Sequence, residues 1–309
     1  LLRSFFIGLS TNKHVRAFAE RSTAGNRLAS RFVAGTSIED AVAAARRLND
    51  EGIDVTIDAL GESVLQVAQA EESAAVYNRL LDAIESNHLR AHISLKLSQM
   101  GIDIGGPGAG PELAERIVGE LIEHASRIGS FVRIDMEDSG HTEATLTMTE
   151  RLHARYPNAV GTVLQSYLFR TEQDLDRMLA QGIRIRLCKG AYREPPTVAY
   201  AAKTYTDASY VRLMKTMVTS GVYCGIATHD EKIIDKMRRF VEEHGIAKDR
   251  FEFQMLYGVR RDLQRALVAE GFRMRVYLPF GAEWFPYFMR RLAERPANAL
   301  FVAKNLFRT

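Results

Sequence analysis

Short apolar, β-branched runs in this chain end repeatedly on residues that can do chemistry. Lys96 follows HISL, Asp135 follows VRI with Glu137 and Asp138 close behind, and Arg186 and Lys189 lie at the end of IRIRLCK. Asp58, Gln165, Thr228 with His229, Leu256 and Tyr277 hold the same place in other runs. Charges that leave apolar strands toward one rim are costly to bury unless opposite charges or an anionic ligand compensate them. Any one carboxylate there serves equally well as the cap of the next helix, a role open to Asp58, Asp138 and Asp230. The joint pattern of Lys96, Asp135, Arg186 and Lys189 asks for a site.

A second cluster lies in EWFPYFMRRLAER, where Tyr287, Arg290, Arg291 and Glu294 recur at helical spacing on one side and Trp284, Phe285, Phe288 and Leu292 on the other. Arginines on such a stripe ordinarily snorkel to solvent. Paired guanidinium groups beside a tyrosine also form a carboxylate clamp with an aromatic wall, because the fork matches carboxylate oxygens. Other motifs carry less. GGPGAGP, residues 105–111, has neither GxGxxG nor GxxxxGK[ST], and Pro111 offers no amide, so it reads as a plain loop. His88 ends a helical segment while His92 enters a strand, HExxH and Cys/His metal spacings are missing, and so is GxSxG. No metal site and no serine nucleophile are expected. Cys188 and Cys224 lie in apolar runs as small buried thiols, which fits a reducing compartment.

The elements that must position these residues are legible as an alternation. Eight strand-like runs start at Ile53, His92, Phe131, Val160, Ile183, Tyr223, Arg250 and Arg275. Between them lie helical segments such as Glu112 to Arg127, Thr142 to Arg155, Thr171 to Gln181, Asp207 to Ser220, Glu231 to Glu243 and Arg260 to Glu270. This predicts an α/β fold, a (β/α)₈ TIM-type barrel with its chemistry at the strand carboxyl ends, with an open doubly wound sheet as the alternative. Arg133, Arg184 and Glu252 interrupt the strands and must be absorbed by a layered interior or a polar strand face. Before the first strand, LLRSFFIGL, VRAFAERS and IEDAVAAARRLNDEG read as helices, the last capped by Thr36 or Ser37 with Asp40 in its first turn. Residues 1–48 are accordingly expected to form an N-terminal helical arm, and 49–309 the barrel.

Composition narrows the partners. The 309 residues are 46% hydrophobic and 26% charged, and 41 Lys and Arg against 38 Asp and Glu leave a net charge of +3 with the signs interleaved. That disfavours nucleic-acid binding. The apolar stretches fall short of the ~18 residues of a membrane span, which leaves peripheral contact with a bilayer open.

Seven motifs carry a resemblance to a known family. They are SLKLSQMG, RIDMEDS, TVLQSYL, IRLCKGAYRE, ATHD, FEFQMLYG and YFMRRLAERPAN, running in this order from about Lys96 to the end of the chain. The chain resembles the proline dehydrogenases, including the proline-oxidising domain of bifunctional proline utilisation proteins. The resemblance implies a (β/α)₈ barrel with FAD at the strand carboxyl ends and a final helix over the mouth. Matched position by position, it implies that Met136, Gln165, Arg186, Lys189, Gly190, Ala191, Thr228 and His229 contact FAD. Lys96, Arg290 and Arg291 would pair with the proline carboxylate, and Tyr277, Tyr287 and Leu256 would wall the ring pocket, with Tyr192 nearby. Asp135 and Arg186 match catalytic positions. The link between Tyr277 and Tyr287 is shorter here than in the bifunctional proteins, and no functional residue is carried over from residues 1–90.

The implied reaction is oxidation of L-proline to Δ1-pyrroline-5-carboxylate, the first step of proline catabolism, by hydride transfer from C5 to flavin N5 with electrons passed to a quinone. It implies a separate dehydrogenase for the product downstream and a cytoplasmic enzyme peripherally associated with the inner membrane if bacterial, or on the matrix side if mitochondrial. Physically, Asp135 is better suited to holding Lys96 or Arg186 in place than to removing a substrate proton. Three other readings share the residues. They are a Schiff-base lyase using Lys96 or Lys189, a metal-dependent hydrolase using Asp58, Asp135, Glu137 and His229, and a flavin-binding barrel without catalysis.

Overall fold

The computed structural model describes residues 30–61, 63–287 and 289 of the chain. Arg290 and Arg291, and the helices expected before residue 30, lie outside the described residues. Helix α1 (Ile38–Asp50) leads into β1 (Asp54–Ala59), α2 (Val67–Ser86), β2 (Ala91–Leu95), a 3-10 turn at Leu97–Met100, α3 (Pro111–Arg127) and β3 (Val132–Ile134). Then come α4 (Thr142–Arg155), β4 (Val160–Gln165), α5 (Thr171–Leu179), β5 (Arg184–Cys188) and α6 (Lys203–Thr219). The series ends with β6 (Cys224–Ala227), α7 (Glu231–Glu243), β7 (Phe251–Leu256), α8 (Arg261–Ala269) and β8 (Arg273–Phe280). The eight strands are all parallel and close on themselves, β1 pairing with β8 in the register Val55↔Val276. The fold is the (β/α)₈ barrel, and the open-sheet alternative is excluded by that closure.

One side of each strand is apolar and packs against the helices. Val55, Ile57, Ile93, Leu95, Val132 and Ile134 join the buried faces of α1, α2 and α3, while Leu187, Ile226, Phe253 and Val276 join those of α5 to α8. Helix α1 forms with the expected cap, but it packs on the sheet rather than standing apart as an arm. Ser37 caps it through a reciprocal bond with Asp40, and its Ala41, Ala44 and Ala45 are buried in the cluster around β1. A boundary at residue 48 would cut this helix, which belongs to the outer ring and fills the place between β8 and β1. The small alanine face lets it lie close to the sheet.

The other side of the strands is polar, unlike the branched apolar filling usual in such barrels. Tyr277 of β8 reaches Asp135 beyond β3, and Arg186 of β5 reaches Ser94 of β2, contacts possible only across the interior because these strands are not neighbours. At the amino-terminal end, Arg275 Nε donates to Glu252 at 2.8 Å and its Nη1 to the Val55 carbonyl at 2.8 Å. Arg133 donates to the Thr162 carbonyl at 2.8 Å and the Arg184 carbonyl at 2.5 Å. Arg133 and Glu252, two of the residues that broke the apolar strand pattern, are thus part of the barrel's filling, whereas Arg184 is half-buried. Burial, and then the like charge of Arg186, pull the Arg133 guanidinium down to about 9. Burial alone would raise Glu252, but Arg275 beside it holds the carboxyl below its ordinary range. Gly161 makes room for this layer, since a Cβ there would lie 2.2 Å from the Arg184 carbonyl and 2.8 Å from Arg133 Nη1.

Candidate active site

The carboxyl ends of the strands open into a cavity of about 2030 Å³. Thirteen of the fifteen residues expected at the site line it: Lys96, Asp135, Met136, Gln165, Arg186, Lys189, Gly190, Ala191, Thr228, His229, Leu256, Tyr277 and Tyr287. Arg290 and Arg291, the remaining two, are outside the described residues. Tyr287 was grouped by spacing with the polar flank of its helix, yet it is buried together with Trp284 and Phe285. Cys224 is buried, which pushes its thiol up to about 12, whereas Cys188 is half-buried and lines the cavity.

Asp135 is the centre of the floor. Its Oδ1 accepts from Arg186 Nη1 at 2.7 Å and from Ser94 Oγ at 2.7 Å, and its Oδ2 accepts from the Tyr277 hydroxyl at 2.9 Å. Both oxygens are therefore engaged, which suits a positioning group better than a proton acceptor. Of the two partners expected for Asp135 the structure selects Arg186, and Lys96 turns to Asp58 at 3.3 Å. Asp58 also lies 3.3 Å from the Tyr77 hydroxyl, which donates to the Ser94 carbonyl at 2.8 Å. Asp58 is therefore a partner of Lys96, whereas Asp230 does cap α7 by accepting from Lys232 N at 3.2 Å. Burial, followed by the nearby carboxylates of Asp135 and Asp58, raises the Tyr277 phenol well above its ordinary value, so it stays a neutral donor. The Arg186 guanidinium stands 5.1 Å from the centre of the Tyr277 ring.

The remaining lining residues form the far arm of the cavity. Gln165 Nε2 donates to the Glu137 carbonyl at 2.7 Å, which directs its oxygen the other way. Lys189 sits between Asp207 at 2.6 Å and Asp230 at 2.8 Å. Gly190 has φ +112°, and a Cβ there would fall 2.3 Å from the Tyr167 ring, so glycine alone brings the backbone this close. Thr228 Oγ accepts from Asp230 N at 3.1 Å, and His229 Nε2 accepts from Leu256 N at 2.9 Å, which leaves the imidazole proton on Nδ1.

Sequence reasoning missed Ser94, Tyr77, Gln254, Asp207 and the role of Asp58. Ser94 and Gln254 lie on inward-facing strand positions, and the polar residues at every second place in HISLK and FEFQ were the available signal. The lysines are engaged by carboxylates rather than set in the apolar pocket that favours a nucleophilic amine. Among the described residues, no group of three or more His, Cys, Asp or Glu side chains is arranged to hold a metal ion, and no helix is long and apolar enough to cross a membrane.

The rim is tied by its own pairs. Glu137 accepts from Ser98 N at 2.9 Å, Glu194 accepts from Ser139 N at 2.7 Å, and His141 bridges Asp103 at 2.9 Å and Asp138 at 2.8 Å. Burial opposes a charge on His141, but the two carboxylates raise it from 6.5 to about 9. A raised folded value means that this contribution is complete below 6.5 and is lost as the pH rises through about 9. Solvent screening limits it to about 1 kcal/mol. The stability gap between the parent protein and His141→Gln, measured by thermal unfolding, is expected to be widest at pH 6 and to close by pH 10. A gap that stays constant across this range would refute the clamp.

A closed barrel that gathers an Arg, Asp and Tyr constellation on the floor of a large polar cavity, at the carboxyl ends of its strands, has the layout of a barrel enzyme. A family model described as Proline dehydrogenase matches residues 41–304, and the chain belongs to that family. It is 42% identical over 309 residues to Proline dehydrogenase 1 of Bacillus subtilis, with all of both chains covered. It is 45% identical to Proline dehydrogenase of Deinococcus radiodurans, over 91% of this chain and 90% of the other. Among solved structures, proline utilization A from Bdellovibrio bacteriovorus, inactivated by N-propargylglycine, superposes with a TM-score of 0.80 at 23% identity, covering 87% of this chain. The chain spans 33% of that structure, and the likeness shows the shared barrel.

Proposed function

We propose that the chain is an FAD-dependent proline dehydrogenase that oxidises L-proline to Δ1-pyrroline-5-carboxylate and delivers the electrons to a quinone. The observation that carries this reading is the constellation of buried Asp135 and Arg186 with half-buried Tyr277 facing the cavity in a chain of this family. The cavity suits the cofactor. About 2030 Å³ exceeds the ~300–1,000 Å³ of an ordinary small-molecule pocket and leaves room for an extended dinucleotide beside a small substrate. The donor set suits it too, with the Arg186 guanidinium, a Gln165 oxygen turned from its own donor bond, and backbone at Gly190 brought close by the lack of a Cβ.

FAD, when bound, supplies the two-electron acceptor for the hydride that leaves proline C5. Met136, Gln165, Arg186, Lys189, Gly190, Ala191, Thr228 and His229 would hold it. Lys96, with Arg290 and Arg291, would pair with the substrate carboxylate and so orient C5. Leu256, Tyr277 and Tyr287 would close on the ring and exclude water and larger amino acids. Arg186 would place positive charge where electron density accumulates. The quinone would be met at the bilayer surface, so peripheral association from the cytoplasmic or matrix side belongs to this reading, as does a separate dehydrogenase that consumes the product.

The test is spectroscopic. The purified protein is expected to be yellow, and anaerobic L-proline to bleach its flavin absorbance. A colourless protein that takes up no FAD would sink the proposal, and a yellow one that proline leaves unbleached would reduce it to flavin binding.

A further inference from the structure

The polar chain on the cavity floor continues downward into the barrel. Arg186 Nη1 is held by Asp135 at 2.7 Å, and its Nε donates to Gln254 Oε1 at 2.6 Å. Among the described residues, Nη2 is the guanidinium nitrogen with no hydrogen bond inside the protein. Two short contacts on adjacent edges fix the plane of the group and leave Nη2 to the cavity.

A glutamine is an ambiguous partner for Nε, because its amide can present oxygen or nitrogen. Here the ambiguity is removed from below. Gln254 Nε2 donates to Glu252 Oε1 at 2.6 Å, and an ionised carboxylate only accepts. The nitrogen must therefore face Glu252 and the oxygen must face Arg186. Glu252 is fixed in turn by Arg275 Nε at 2.8 Å and the Tyr223 hydroxyl at 3.0 Å. Arg186, Gln254, Glu252 and Arg275 are each no more than 6% exposed. Space for the amide is provided by Gly225, where a Cβ would lie 2.4 Å from Gln254 Nε2.

We propose that Gln254 is a positioning residue for Arg186 and that Glu252 sets the direction in which it acts. The inference rests on the reading of Arg186 as a group facing cofactor and substrate. In Gln254→Leu the Nε donor loses its acceptor and the guanidinium is free to rotate about its bond to Asp135. A hydrogen bond to a charged group is worth about 1.5–3 kcal/mol, so the loss corresponds to about a tenfold to hundredfold effect on a step that needs the group in place.

The test uses the FAD-loaded enzyme. Gln254→Leu is expected to slow flavin reduction by proline at least about tenfold, with KM within about threefold, and to lower the midpoint potential of the bound flavin. Gln254→Glu, sharing one proton with Glu252 across the same contact, restores the acceptor and is expected to reduce within about threefold of the parent rate. A Leu variant that retains FAD and keeps the parent rate and potential overturns the proposal. If the Leu variant does not fold, the Glu variant decides: near-parental reduction supports the proposal, and a loss of about tenfold or more with FAD retained overturns it. A parent enzyme whose flavin proline fails to bleach would instead count against the functional reading itself.

Discussion

Asp135→Ala is expected to lower the rate of proline-driven turnover by about a hundredfold or more. The carboxylate accepts from Arg186, Ser94 and Tyr277, and its side chain is 12% exposed while that of Arg186 is 7% exposed. Breaking such a pair by removing one partner costs about 3–5 kcal/mol, because the other charge stays buried. If the transition state feels that loss, the rate falls by about two to four orders of magnitude. Asp135→Asn separates two roles. An amide oxygen still accepts from Arg186 and Ser94, and its nitrogen donates to a Tyr277 hydroxyl that can turn to accept. Positioning predicts that Asn recovers at least about tenfold over Ala in anaerobic stopped-flow reduction. Equal inactivity of the two variants would assign Asp135 to proton removal, and an Ala variant within about threefold of the parent would remove it from the site.

The second large effect is on stability. Arg275→Leu is expected to cost about 3–5 kcal/mol, because Glu252, 3% exposed, loses the cation that offsets its desolvation. In the parent protein Glu252 lies below its ordinary 4.5, so its contribution is complete above that value and is lost as the pH falls through the folded one. Without Arg275 burial dominates and the sign reverses: the carboxyl then titrates above 4.5, and the penalty grows as the pH rises. Denaturant unfolding is expected to show a larger deficit at pH 8 than at pH 5. Glu252→Leu with Arg275→Leu is expected to be more stable than Arg275→Leu alone. A deficit independent of pH would assign the loss to packing instead.

The barrel was legible in the sequence because parallel strands buried against helices write long apolar runs, and Thr142–Arg155 and Glu231–Glu243 were read to the residue. The candidate site was legible where its residues follow the strands, as at Lys96, Asp135 and Lys189, which line the cavity. What escaped lies deeper. Glu252 was legible as an interruption to be absorbed by a layered interior, but its partners Gln254 and Arg275 were not, because polar residues inside strands name no partner until the strands are known to close around them. Ser94 is marked only by its alternating place in the strand and Tyr77 by nothing, and three-dimensional proximity brings them to Asp135 and Asp58. The placement of α1 escaped for a topological reason. Counting from the first strand puts the eighth helix after β8, whereas the ring is completed by the helix before β1.

That placement bears on how the molecule assembles. The seam between β1 and β8 joins residues 220 positions apart, as in the bond from Arg275 to the Val55 carbonyl, and Arg265 to Glu51 of the α1 cap crosses it over 214 positions. Neighbouring β1 and β2 pair over 36 positions, Val55 opposite Ala91. Closing the longer loop costs about 1.6 kcal/mol more in chain entropy, returned only when the whole sheet is in place. On the ribosome, an unpaired β1 edge and the exposed alanine face of α1 must therefore wait until β8 has been synthesised. Closure of the seam is therefore expected late in folding, an interval in which an unpaired edge is exposed to chaperones and to pairing with another copy.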